Sequence, residues 1–290
     1  MKVTIGTRGS ELAVQQSIPL VEYLQAHGVE ITWKKLSTSG DQWLAGPLDK
    51  STGTGFFTRE LEEALLSGDV DLLIHSYKDV ALGRPEGIVT ACIPRREDPT
   101  DLLVMRPDAP AQPTIGTSAE RRRRFLERAL PEARFTWIRG NVPKRLQRVR
   151  DGVLRDEPLH GTILAAAGLG RLGLDLSGLS VRPLRPDELL PAPAQGALLA
   201  ETRADRGDLA ELLLGFHDPQ TARRVALERA VLAGIGGGCQ QPLGALATLL
   251  EGGRVRLQAA YAGDDGIRQA QAEGDEDAAV LRTVLKGLGW

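Results

Sequence analysis

The chain has 290 residues and a mass of 31.2 kDa, too long for one ordinary core, so two or three domains are expected. With 42% hydrophobic and 26% charged residues it has a globular composition, which excludes a mainly disordered chain. The formal net charge of −2 argues against a wholly basic nucleic-acid binder.

Apolar runs alternate with amphipathic stretches, the pattern of an α/β chain. Val3–Gly6 reads as a short buried strand, and Ser10 as the N-cap of a helix reaching about Gln25. Ile31–Ser37 is strand-like, Phe57–Ser67 has a strong helix pattern, and Val70–His75 and Ile88–Ile93 read as buried strands. Leu102–Met105 is a further strand. Thr4-Ile5-Gly6-Thr7 then recurs as Thr114-Ile115-Gly116-Thr117, each copy before a polar turn and a helix start. Two similarly built α/β domains are therefore expected, the second beginning near residue 99. Within it Phe135–Ile138 and Thr162–Ala166 read as strands and Lys144–Arg150 as a helix start. Four prolines between Arg182 and Ala194 mark a return connection. Gln220–Ala233 reads as a helix, Arg254–Tyr261 as an alternating strand and Ala278–Leu285 as a last helix, together a small α+β domain. The expected boundaries are 1–95 with 193–214, then 99–190, then 218–290.

No charge occurs from Ala230 to Leu250, nominally a membrane span. Five glycines and Gln240-Gln241-Pro242 make it instead a glycine-rich loop between helix and strand. The start MKVTIGTRGS is already strand-like and carries no secretory pattern, and two cysteines are too few for a disulfide framework. A cytoplasmic protein with no membrane partner is expected.

The charge is unevenly placed. Residues 116–155 hold twelve Arg or Lys and four Asp or Glu, a local charge of +8 that leaves −10 for the rest. The chain has 29 Arg against 7 Lys. Arginine is the better bidentate partner for carboxylates and phosphates, although base composition would also produce the bias. A solvated helix face is the plain reading for Arg128, Arg148 and Arg150. A nucleic-acid patch is weaker, because stacking aromatics are scarce. The third reading is an anion cleft: Arg8 with Ser10, Arg121 with Arg122, and Arg139-Gly140-Asn141 all follow strands at helix starts.

His75-Ser76-Tyr77-Lys78-Asp79 follows an apolar strand and points to that same edge. His75 and Asp79 are four apart, yet the chain has only four His and no second cluster, so no metal is expected. Cys92 reads as a core residue, whereas Gly236-Gly237-Gly238 leaves the Cys239 thiol on open backbone, suited to covalent attachment or nucleophilic use.

Nine segments now stand in one order: Gly6–Ser10 with Leu12-Ala13, Thr58–Glu62, His75–Val80, Arg96–Pro99, Gly116–Ser118 with Arg121-Arg122, Arg139–Val142 with Arg145-Leu146, Ala167–Leu169 with Arg171–Gly173, Gln195–Ala197, and Gly237–Gln240 with Pro242. In these segments the chain resembles the porphobilinogen deaminases, or hydroxymethylbilane synthases, over almost its whole length. The resemblance implies two periplasmic-binding-protein-like (type II) α/β domains around a cleft, plus the small C-terminal α+β domain. It implies a monomeric transferase that joins four porphobilinogens head to tail with loss of ammonia, primed by a dipyrromethane cofactor on a thioether to Cys239. By similarity Asp79 is the catalytic carboxylate. It would assist protonation of the leaving amine, stabilise the azafulvene and pyrrolenine cations and accept the α-proton. A carboxylate among cations favours electrostatic stabilisation over proton donation. Also by similarity, Arg8, Ser10, Gln16, Lys78, Thr117, Ser118, Arg121, Arg122, Arg139, Asn141, Arg145, Arg171 and Gln195 bind cofactor and substrate carboxylates.

The chain departs from the family pattern at Gly53-Thr54-Gly55, where a basic residue is usual and Lys50 is the nearest substitute, and at Ala81 and Ala119. It also has Pro193-Ala194 at the crossing where Val-Gly is usual. The alternative is a non-enzymatic two-lobed anion-binding protein, which would need neither Cys239 nor the third domain and would normally be exported.

Overall fold

The computed structural model describes residues 1–38, 58–237 and 241–290. Lys50, Gly53-Thr54-Gly55 and Cys239 lie outside the described residues.

The first sheet begins with β1 (Lys2–Arg8), followed by helices α1 (Glu11–Gln15) and α2 (Ile18–Ala26), then β2 (Glu30–Leu36). The single helix expected from Ser10 to Gln25 is thus two. Pro19 lacks an N–H and its ring crowds the preceding turn, so the chain restarts there. Ser17 Oγ donates to the Ala13 carbonyl at 2.8 Å, and covers the break. Helix α3 (Arg59–Leu66) leads to β3 (Leu72–Ser76), a single turn Tyr77–Asp79, and β4 (Ile88–Cys92).

The second sheet takes β5 (Asp101–Met105), β6 (Thr114–Gly116), helix α4 (Glu120–Ala129), β7 (Arg134–Thr136) and helix α5 (Val142–Asp151). After a small hairpin of β8 (Val153–Leu154) and β9 (Glu157–Pro158) come β10 (Gly161–Ala165), helix α6 (Ala166–Leu172) and β11 (Ser180–Pro183). The chain then returns to the first sheet as β12 (Leu198–Arg203) and helix α7 (Gly207–Leu213).

The strand orders are β2-β1-β3-β12-β4 and β11-β5-β10-β6-β7. The two sheets are built alike. In each, three parallel strands (β2, β1, β3 and β7, β6, β10) are followed by one antiparallel strand, β12 or β5, and an outer strand beyond it. The Thr-Ile-Gly-Thr echo falls on equivalent strands, β1 and β6. Its glycines are required by packing. A Cβ on Gly6 would meet Leu73 Cδ2 at 2.8 Å, and one on Gly116 would lie 3.1 Å from Ile138.

The last unit joins helix α8 (Pro219–Gly234) to an antiparallel sheet of β13 (Leu243–Leu249), β14 (Val255–Gly263) and β15 (Gly266–Gly274), closed by helix α9 (Asp277–Leu288). The uncharged stretch from residue 230 thus divides between the end of α8 and β13. Among the described residues no helix is long and apolar enough to cross a membrane. Separate apolar clusters sit beneath the first sheet (Ile5, Leu24, Leu72, Cys92), within the second (Ile115, Phe125, Ile163) and within the third (Val231, Leu257, Val284). Burial of these side chains away from water favours each sheet's packing against its helices. Cys92 is buried as expected, which pushes its thiol up to about 12.

Candidate active site

A cleft of about 720 Å³ is walled by residues that follow β1, β2 and β3 on one side and by residues that follow β7 and β10 on the other. These are the carboxyl ends of parallel strands, where open α/β sheets leave a crevice. Leu12 of α1 and Gly168 of α6 both line it and approach each other, so that a Cβ on Gly168 would lie 3.7 Å from Leu12.

Asp79, at the end of the turn after β3, is the one carboxylate on this wall among the described residues. Eight cations share the wall: Arg8, Lys35, Lys78, Arg122, Arg139, Lys144, Arg145 and Arg171. Local structure fixes several of them. Asn141 caps α5, its Oδ1 accepting from Lys144 N at 3.1 Å, and Arg145 Nε donates to the Gly140 carbonyl at 2.8 Å. Ser10 caps α1 by accepting from Ala13 N at 3.2 Å. Gln16 Oε1 accepts from Ser76 Oγ at 2.9 Å, which ties α1 to the end of β3. Arg171 donates to Glu97 at 2.8 Å and to the Gly196 carbonyl at 2.9 Å.

The electrostatics follow from crowding. Burial lowers Lys78 to about 8; Asp79 opposes that shift, Arg122 adds to it, Asp101 opposes it and Arg121 adds to it. Arg145 is lowered to about 10 by burial and then by Arg122, Arg139 and Arg148. Burial also lowers Arg139.

Of the sequence-predicted residues, Arg8, Ser10, Gln16, Lys78, Asp79, Arg122, Arg139, Asn141, Arg145 and Arg171 come together on the wall. Thr117, Ser118, Arg121 and Gln195 stand back from it. Thr117 Oγ1 accepts from Ala119 N at 3.2 Å, and Ser118 Oγ donates to the Ile138 carbonyl. Arg121 donates to Asp101 at 2.7 Å and to the Leu190 carbonyl. Arg122 reaches the wall but also donates to Asp101 at 2.6 Å and to the Ile163 carbonyl at 2.8 Å. Burial alone would raise Asp101; Arg121 and Arg122 outweigh it and hold its carboxyl well below the usual range. The other two arginines of the run, Arg123 and Arg124, form surface pairs with Glu120.

Sequence reasoning missed three buried carboxylates behind the cleft, Asp101 and two others. Glu228 of α8 takes Arg96 bidentately at 2.6 and 3.0 Å, and accepts from Ala194 N at 2.8 Å and Ala247 N at 3.0 Å. Glu201 lies 3.2 Å from His75 Nε2, and Arg84 links it to Glu62. The sequence signal was a lone carboxylate inside an apolar run: Glu228 in Val225–Leu232, and Glu201 after Leu198–Ala200.

The family model described as "Porphobilinogen deaminase, dipyromethane cofactor binding domain" matches residues 3–211, and the one described as "Porphobilinogen deaminase, C-terminal domain" matches residues 222–285. Porphobilinogen deaminase of Syntrophobacter fumaroxidans is 38% identical over 99% of this chain and 93% of its own. That of Chromobacterium violaceum is 41% identical over 99% and 94%, and that of Shouchella clausii 40% identical over 91% and 86%. Solved structures with partial likeness include the methionine-binding protein MetQ, 11% identical with a TM-score of 0.43 over 78% of this chain and 93% of that one. With both family models matched in order along it, the chain belongs to the porphobilinogen deaminase family, the hydroxymethylbilane synthases, which are transferases carrying a dipyrromethane cofactor.

Proposed function

We propose that the cleft holds the growing oligopyrrole through its cations, with Asp79 at the reacting centre and Cys239 as the thioether tether of the cofactor. The reaction joins four porphobilinogens head to tail with loss of ammonia and yields linear hydroxymethylbilane. The observation that carries the assignment is the imbalance on the wall, eight cations against one carboxylate. Each pyrrole brings an acetate and a propionate, and half-buried cations attract such anions more strongly than solvated ones do. The donor set therefore fits a dipyrromethane, with Arg8, Lys78, Arg122, Arg139, Arg145 and Arg171 facing its carboxylates. When bound, that group supplies the primer on which the chain is built.

The residues of this chain then divide the work. The guanidinium groups orient each incoming ring by its carboxylates. The Asp79 carboxylate stabilises the cationic forms of the reacting porphobilinogen, and an Asp79 oxygen takes the α-proton after bond formation. Lys78 keeps a positive charge beside it at neutral pH. The same reading includes three domains over 1–95 with 193–214, 99–190 and 218–290. It also includes a cytoplasmic monomer with no nucleic-acid or membrane partner, which the near-neutral total charge and two cysteines support.

Intact mass spectrometry of protein from cells that make porphobilinogen is the test. The expected mass is the polypeptide plus two pyrrole units, and the bare polypeptide mass for Cys239→Ser. A bare mass for the unaltered protein would overturn the tether.

A further inference from the structure

Behind the cleft, one neutral side chain joins its two walls. Lys78 follows β3 in the first sheet, and its Nζ donates to Gln195 Oε1 at 3.2 Å. The same amide donates from Nε2 to the Pro99 carbonyl at 2.6 Å and to Asp101 Oδ1 at 3.1 Å, at the head of β5 in the second sheet. Its orientation is dictated by its partners. An ammonium can only donate, and a carbonyl and a carboxylate can only accept, so the oxygen must face Lys78 and the nitrogen the other two. Asp101 in turn holds Arg121 and Arg122.

The backbone at this point is specialised as well. Gln195 is flanked by Ala194 at φ 61° and Gly196 at φ 84°. The left-handed region brings the Cβ of a non-glycine residue too close to the following carbonyl oxygen, so something must hold Ala194 there. Its N–H donates to Glu228 at 2.8 Å, and Arg96 Nε holds the Gln195 carbonyl at 2.8 Å. Gly196 has no such latitude, because a Cβ would meet the Glu97 carbonyl at 2.7 Å. Two ion-paired residues thus fix the backbone that presents a buried amide to a lysine on the cleft wall.

We propose that Gln195 is a positioning residue, whose side-chain amide ties the Lys78 ammonium to buried Asp101 and so sets where the cleft presents that charge. It does not line the cleft and acts through Lys78. The proposal rests on the reading that Lys78 meets substrate carboxylates. Separating the two walls would have to break either the bond of the amide to Lys78 or both of its bonds to Pro99 and Asp101.

The charged groups around Lys78 are Asp79 on its own turn, Asp101 on β5, and Arg121 and Arg122 on α4. Arg8, Lys35 and His75 stand on its own side of the cleft, and Arg139, Lys144, Arg145 and Arg171 on the other. The folded Lys78 sits below its free value, so its charge is lost as pH rises through about 8. Removing the amide oxygen that accepts from the ammonium lowers that midpoint further.

The test uses the holoenzyme. Lys78 acetylation by acetic anhydride is followed against pH, with the site located by peptide mass spectrometry. In Gln195→Met the midpoint should move to lower pH and KM for porphobilinogen should rise several-fold. An unchanged midpoint in the folded variant overturns the link. In the unaltered protein, which carries no folding risk, the Gln195 side-chain amide resonance should titrate with the Lys78 midpoint and stop doing so in Lys78→Met. An amide that does not titrate also overturns it. A shifted midpoint with unchanged KM leaves the link standing and removes the carboxylate-binding reading of Lys78 instead.

Discussion

The cleft and the junction behind it are made from the same side chains and use them in opposite ways. At the junction each carboxylate is saturated. Asp101 accepts from Arg121, Arg122 and Gln195, and Glu228 from Arg96 and two backbone N–H groups. On the cleft wall eight cations face a single carboxylate, and of these cations Arg122 and Arg171 also reach back to Asp101 and Glu97. Burial penalises charge in both places. At the junction internal partners offset the penalty, so those charges hold geometry. In the cleft Arg145 sits among Arg122, Arg139 and Arg148, a repulsion that an anion from outside would relieve. Where a charge is compensated separates scaffold from binding site better than the number of arginines does.

The largest way to break this comparison is to remove the lone carboxylate. Asp79→Asn keeps the side-chain size and touches no junction partner. Turnover should fall on the order of 10²–10⁴-fold, the usual contribution of a positioned acid–base group. Steady-state formation of hydroxymethylbilane measures it, with circular dichroism to confirm the fold. Near-native turnover would take Asp79 out of its assigned role.

Next is the junction itself. Glu228→Gln leaves the Arg96 guanidinium buried without a counter-ion, and losses of this kind run to about 3–5 kcal/mol. Thermal and urea unfolding should show it. The double variant Arg96→Met with Glu228→Met should recover only part of the loss, because Ala194 N and Ala247 N still lose their acceptor. Full recovery would mean that Glu228 matters only as the partner of Arg96.

Much of the fold is legible in short apolar runs. Val70–His75, Leu102–Met105 and Thr162–Ala166 fall within two residues of β3, β5 and β10. The repeated Thr-Ile-Gly-Thr marks equivalent strands because both glycines are pressed by side chains. Strands without such runs escape notice. In β15, Arg268, Gln269 and Gln271 break the pattern, and pairing along β14 makes the strand. In β12 the apolar run is broken by buried Glu201, which Arg84 holds at 2.8 Å and which lies 3.2 Å from His75 Nε2. In the site, Arg8, Lys78, Asp79 and Arg139 follow from their place after strands, whereas Arg145, inside α5, comes only with the family resemblance. The inward turn of Arg121 and Arg122 does not, because their partners Asp101 and the Leu190 carbonyl are brought in by tertiary packing. A run of four arginines reads as one patch, yet it splits into a buried pair and a surface pair.

The smallest expected effect sharpens the comparison most, because its two readouts diverge. Arg145 donates to the Gly140 carbonyl and has three guanidinium neighbours that disfavour its charge. In Arg145→Met a charge-assisted contact to a substrate carboxylate is lost, a weakening of about 1.5–3 kcal/mol, read as a higher KM for porphobilinogen. Stability should move the other way. A base whose folded value is depressed costs stability while it is charged, so at neutral pH its removal should leave the melting temperature unchanged or slightly raised. Arg121→Met is the counterpart. It strips a partner from buried Asp101 and should lower the melting temperature. If both variants lose stability alike, the charge of Arg145 is compensated inside the protein, and the division between cleft and junction fails.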